Sequence, residues 1–318
     1  MKNITFLFVS AFIFFSLLSE TNAQELPLNY QYMLNGYLLN PALVVTNPGG
    51  VRVSARQQWV GIEGAPRTIV GSGNYRFGKY RNSNTKNNGI GAYIYNDKNG
   101  AVNRFGFQVS YAHNVELNRT FNLAMGLSFS GYQFSLDQRG LTTHTSGDPA
   151  ITGTVSDVYS IPEANAGAIL YTSTTFFAIS ATQLLGSKVR LNGDVYTENT
   201  YPRSIFLTMG YKNFVIENIQ FEPSFVMRLA KAQPIEYHLN TKLYFGDVVW
   251  LGSSFRINDS FMMLFGFNLQ EYFFGYAYQY SFGGINNYNH GSHEFMVGIS
   301  FEKVRTRGRG AVKCPAFN

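Results

Sequence analysis

His290, His293 and Glu294 are the side chains of this 318-residue chain whose spacing comes nearest to a metal site. A helical metal motif would set its ligands along one face of a helix. These three instead sit in a loop leading into an alternating segment, which disfavours ligation. Asp137, Asp148, Asp157 and Glu163 fall in one long connection but lack the Gly-spaced acidic pattern of a calcium loop. Gly71-Ser72-Gly73 has no helix after it, so the phosphate-loop reading fails. His113, His144 and His238 are scattered, and no Ser/His/Asp or Cys/His grouping can be assembled. The single cysteine, Cys314, excludes a disulfide framework and a Cys-ligated zinc site, and reads as an incidental thiol. The chemistry-bearing residues therefore point away from an enzyme, and they imply no cofactor and no metal.

A second set could make contacts rather than break bonds. Arg52 and Arg56 share one face of an extended segment. They could pair with carboxylates such as Glu222 or Glu236, or meet a client segment. Trp59, Gly61, Gly64 and Pro66 follow. They read either as an interfacial Trp with a Gly/Pro turn, or as a loop that enters the mouth of a barrel and contacts a partner. His293 opens the last extended segment. Arg305, Arg307 and Arg309, with Lys303 and Lys313, form a tail without an acid after Glu302. These five cations account for most of the formal net charge of +6. The body is thus close to neutral and carries no groove-reading motif, so nucleic acid is not an expected partner.

The elements that must carry these residues show in composition and period. Aromatic residues make up 16% of the chain and charged residues only 14%, against about 25% charged in ordinary soluble domains. Mean hydropathy is −0.10, too low for a multispanning helical membrane protein. The one continuous apolar run, Ile4 to Leu18, follows Lys2 and precedes Ala23. That order predicts a cleaved signal peptide over 1–23. It is shorter than the roughly 20 residues a helical span needs.

After Val51 nearly every segment alternates with period two. Phe121, Leu123, Met125, Leu127 and Phe129 oppose Asn122, Ala124, Gly126, Ser128 and Ser130. Tyr272, Phe274, Tyr276, Tyr278, Tyr280 and Phe282 oppose Phe273, Gly275, Ala277, Gln279 and Ser281. Ile235, Tyr237, Leu239 and Leu243 oppose Glu236, His238, Asn240 and Lys242. Fourteen such segments can be counted, leaving about 21 residues for each strand and its connection.

One face is aromatic and aliphatic; the other is small and neutral-polar. That is the pattern of a barrel with lipid outside and a polar lumen within. The connections also alternate in length, with 135–161, 185–200 and 283–292 on one side and tight turns on the other. Segment 78–88 breaks this parity. In lipid a sheet can pair all its backbone groups only by closing. The expectation is therefore an all-β chain: a single antiparallel transmembrane barrel of about 14 strands over 51–302. A periplasmic segment precedes it over 24–50, and a basic tail follows over 303–318.

Residues 30–68 contain Asn40-Pro41-Ala42, then Arg56-Gln57-Gln58-Trp59-Val60-Gly61, then Gly64-Ala65-Pro66-Arg67-Thr68. Gly291-Ser292-His293-Glu294 and Cys314-Pro315 stand near the other end. Together these pieces resemble the PorP/SprF family of type IX secretion outer-membrane proteins. One departure is Leu43-Val44-Val45-Thr46 after Asn-Pro-Ala, where a small residue and a nearer Gly would be expected. The resemblance implies an outer-membrane, non-enzymatic role in exporting proteins with a C-terminal secretion domain, or in holding them at the cell surface. Gliding-motility adhesins are among such clients. Its implied partners are such a secreted protein, other secretion subunits and the bilayer. A general porin or small-molecule channel is the alternative that the composition leaves open.

Overall fold

The computed structural model describes residues 30–33, 35–78, 87–138, 159–187, 202–212, 214–216, 219–231, 233–246, 248–301, 314 and 316. Its strands are β1 (Gly50–Gln57), β2 (Arg67–Phe77), β3 (Asn88–Asn99), β4 (Val102–Glu116), β5 (Asn122–Leu136), β6 (Tyr159–Tyr171), β7 (Thr175–Thr182) and β8 (Ser204–Tyr211). They continue with β9 (Phe214–Ile216), β10 (Ile219–Ala230), β11 (Glu236–Phe245), β12 (Val249–Arg256), β13 (Ser260–Leu269), β14 (Tyr272–Ser281) and β15 (Ser292–Ser300). Each strand pairs antiparallel with its chain neighbour, except that β10 takes β8 along one half and the short β9 along the other. β8 and β9 thus act as one broken strand, and the ring has 14 staves as expected.

Closure comes from the two ends of the barrel sequence. β1 pairs with β15 along its full length, from Gly50↔Ser300 to Gln57↔His293. Among the described residues only the short β9 is paired on one side alone; closure is the condition a sheet in lipid must meet.

The side-chain pattern is inside out relative to a soluble protein. On β1, Arg52, Ser54 and Arg56 are buried, while Val51 and Val53 are exposed. On β5, Leu127 is 68% exposed and Phe129 is 54% exposed, while Ser128 and Ser130 are buried. Exposed apolar residues on strand after strand form a continuous outer band. In water that band would cost about 25 cal/mol per Å²; against acyl chains it is the favoured contact.

The parity of connections holds. The connections 58–66 and 282–291, and those that follow β5 and β7, leave from one end, together with the tight turns 100–101 and 257–259. The tight turns 172–174 and 270–271 lie at the other. The exception, between β2 and β3, is at the short-turn end, with 79–86 outside the described residues. β1 begins and β15 finishes at this same end.

One expectation is corrected. Within the segment read as periplasmic, residues 30–33 and 35–47 pack inside the barrel. They form three 3-10 turns: η1 (Tyr30–Met33), η2 (Gly36–Leu38) and η3 (Pro41–Val44). Tyr32, Met33, Tyr37, Leu43, Val44 and Val45 are each at most 2% exposed. The lumen contains the chain's main cluster of buried apolar side chains, and the plug supplies much of it. The physical reason is that a water-filled lumen leaves these side chains wet, whereas burial stabilises each by about 1.5–3 kcal/mol.

Candidate functional site

The lumen and its plug form the most specific arrangement in the molecule. Asn40 organises it. Its side-chain oxygen accepts from the Ala42 N–H at 2.9 Å, capping η3, and Pro41 takes the first helical position. The same side chain's Nδ2 donates to the carbonyls of Ala168 on β6 and Ile179 on β7, at 3.2 and 3.1 Å. Asn-Pro-Ala is thus a cap, a helix start and a tether to the wall in three residues.

The wall is shaped to receive it. A Cβ built on Gly126 would lie 2.5 Å from the Ala42 nitrogen. One on Gly89 would lie 2.6 Å from the Val45 Cα, and one on Gly91 would lie 2.8 Å from a Val44 methyl. Gly167 meets the Asn40 side chain in the same way. Side chains at these four positions would exclude the plug, so the glycines of β3, β5 and β6 form its bed. Three of the four alternate with the apolar positions of their strands, where the sequence reads simply as small residues on a polar face.

Polar contacts hold the rest of the plug. Tyr32 donates to Asn240 at 2.9 Å, Asn35 to Ser72 at 2.9 Å, and Tyr37 to the Ala92 carbonyl at 2.9 Å. Ser180 donates to the Leu39 carbonyl at 2.7 Å. The buried Lys242 donates to the Met33 carbonyl at 3.2 Å and sits 5.4 Å over the Trp250 ring. Cys314 and Ala316 are buried in the same cluster, so the far end of the chain also reaches into the lumen. Burial pushes the Cys314 thiol up to about 12, which leaves it protonated and unreactive.

Arg52 faces the lumen as its period predicts, but the carboxylate pairing expected for it is not what forms. It donates to Asn74 at 2.8 Å and to the Pro48 carbonyl at 3.3 Å, fixing the chain where it leaves the plug. Glu236 pairs instead with Arg228, and Glu222 takes Lys212 at 3.5 Å and Tyr244 at 3.0 Å. Arg56 also faces inward. It donates to Gln279 at 3.3 Å and lies directly opposite Glu294 across the β1–β15 pair.

The connection carrying Trp59, Gly61, Gly64 and Pro66 is pinned at the long-loop rim. Val60 N–H donates to the Gly291 carbonyl and His290 N–H to the Val60 carbonyl, at 2.9 and 2.8 Å. Gly100 N–H donates to the Gly64 carbonyl at 2.8 Å, and Gln58 N–H to the Pro66 carbonyl at 2.9 Å. Trp59 adopts φ +45°, and its backbone N–H reaches the Ser292 hydroxyl at 3.2 Å. Gly61, at φ +106°, lies against the His290 ring. The two motif blocks from opposite ends of the sequence therefore meet at the seam that closes the barrel.

His293 faces outward. Tyr276 and His293 are hydrogen-bonded at 2.7 Å, and the Tyr278 ring packs edge-on at 5.3 Å. This is an interfacial aromatic cluster rather than a lumen contact. Arg305, Arg307 and Arg309 lie outside the described residues. Among the described residues no group of three or more His, Cys, Asp and Glu is arranged to hold a metal.

Closed ring, apolar belt, polar lumen and asymmetric connections define an outer-membrane β-barrel, here one filled by its own N-terminal segment. The chain belongs to the PorP/SprF family of type IX secretion system membrane proteins, whose profile matches residues 21–299. No curated protein matches it. Among solved structures, the toluene transporter TbuX of Ralstonia pickettii is similar at 10% identity and TM-score 0.50, over 85% of this chain and 94% of that one. The CymD monoaromatic hydrocarbon channel gives 10% and 0.50, over 89% and 96%. A TodX deltaS2S3 mutant channel gives 10% and 0.51, over 85% and 94%. At such identity these likenesses concern the barrel fold alone.

Proposed function

We propose that this chain is a non-enzymatic scaffold of the type IX system, supporting export or surface anchoring of proteins with a C-terminal secretion domain. Adhesins of gliding motility are among the clients this reading covers. The family match over residues 21–299 carries it. The plugged lumen supports it against the general-porin reading, because a porin needs an unobstructed path. The rigid barrel holds the assembly in the outer membrane. The long-loop end, taken as external by the usual asymmetry of such barrels, receives the client through loop contacts or strand pairing. The short-turn end, where the strands begin and finish, faces periplasmic subunits, and the basic stretch after Glu302 is their contact. A signal peptide over 1–23 delivers the chain to this location.

The test is deletion of the gene followed by surface proteomics. Proteins with C-terminal secretion domains should be depleted from the surface and restored by the intact chain. Unchanged display of all of them would overturn the proposal.

A further inference from the structure

Between the plug and the long-loop mouth lies a cavity enclosing about 910 Å³ of empty space, its open side included. Leu38 and Leu39 of the plug are its floor, and Tyr93, Tyr95 and Tyr132 line it from β3 and β5. Gln108, Asn165 and Gln183 supply carboxamides, and Ser130, Thr182 and Ser204 supply hydroxyls.

The polar groups are held in place before any ligand arrives. Asn165 donates to Gln108 at 2.7 Å and to Ser128 at 3.0 Å, and accepts from the Gln183 N–H at 3.0 Å. Gln108 also accepts from the Tyr93 hydroxyl at 3.2 Å. Gln183 is held at φ +60°, a left-handed conformation that costs a non-glycine residue and is found at ligand sites. Its side-chain carboxamide lines the cavity, where a ligand can both donate to it and accept from it.

Among the described residues the lining carries one charged side chain, Arg228, which pairs with Glu236 and donates to Ser204 and Gln233. The lining therefore favours a neutral ligand. A hydrocarbon would strand the amides and hydroxyls. A threading chain would meet the plug. Tyrosine rings for C–H faces beside amides that both donate and accept suit a compact polyhydroxylated molecule.

We propose that this vestibule binds a mono- or disaccharide entering from the long-loop end. The inference does not depend on the secretion role. The test uses the full mature chain refolded in a sugar-free detergent. Saturation-transfer NMR would be run with glucose, galactose, mannose, N-acetylglucosamine and lactose, and with toluene and tetra-alanine as comparison probes. Binding of at least one sugar is expected. It should weaken about tenfold in Gln183→Met, which keeps the length and removes the amide, and also in Gln183→Asn should the first variant misfold. Absence of transfer to every sugar, preference for toluene or tetra-alanine, or equal binding by a folded Gln183 variant would overturn the proposal.

Discussion

Asn40 shows how much one side chain can carry in a barrel lumen. It caps η3 through Ala42 and bridges two wall carbonyls. Asn40→Ala removes all three bonds and should loosen the plug by about 1–3 kcal/mol. Hydrogen exchange over residues 35–47 should rise while strand protection stays, and unchanged exchange there would contradict the assigned role. In the sequence Asn40-Pro41-Ala42 stood only as a piece of the family resemblance; its cap and its tether to the wall became visible in the fold. Arg52 is a similar case. Its inward direction follows from period two, whereas its partners, Asn74 and Pro48, depend on a plug that alternation does not encode.

At the scale of elements, the strands were legible because lipid outside and polar lumen inside impose alternation on every stave. The count of 14 alternating segments matches the 14 staves, while the break of one stave into β8 and β9 was not read. The plug was not, because turns of three to four residues have no measurable period. Its apolar residues simply look like linker. The rim connection stands between these cases. Its Gly and Pro marked a turn, and backbone bonds to Gly291 and His290 hold that turn at the rim. Its anchor, the 282–291 connection, lies more than 200 residues away. Deleting 61–66 should leave the barrel heat-modifiable on gels, since the eight β1–β15 pairs remain. Under the proposed role it should also lower client display. Normal display in the folded variant would remove this rim from the contact surface.

For the whole molecule, residues 32–33, 37–45, 314 and 316 occupy part of the lumen. Planar-bilayer recordings of the intact protein should show little conductance. Gly126→Val, which sets a side chain where Ala42 sits, should displace the plug and produce openings. Steady large conductance from the intact chain would restore the porin alternative. The outward aromatic cluster of His293, Tyr276 and Tyr278 belongs to this scale too, since it lies on the barrel's outer face. The most direct test of the secretion-scaffold account is affinity purification of the tagged chain from solubilised outer membrane, with partners identified by mass spectrometry. The account predicts recovery of a surface protein through its C-terminal secretion domain, together with type IX subunits. Recovery of the barrel alone, under conditions that keep those subunits together, would contradict it.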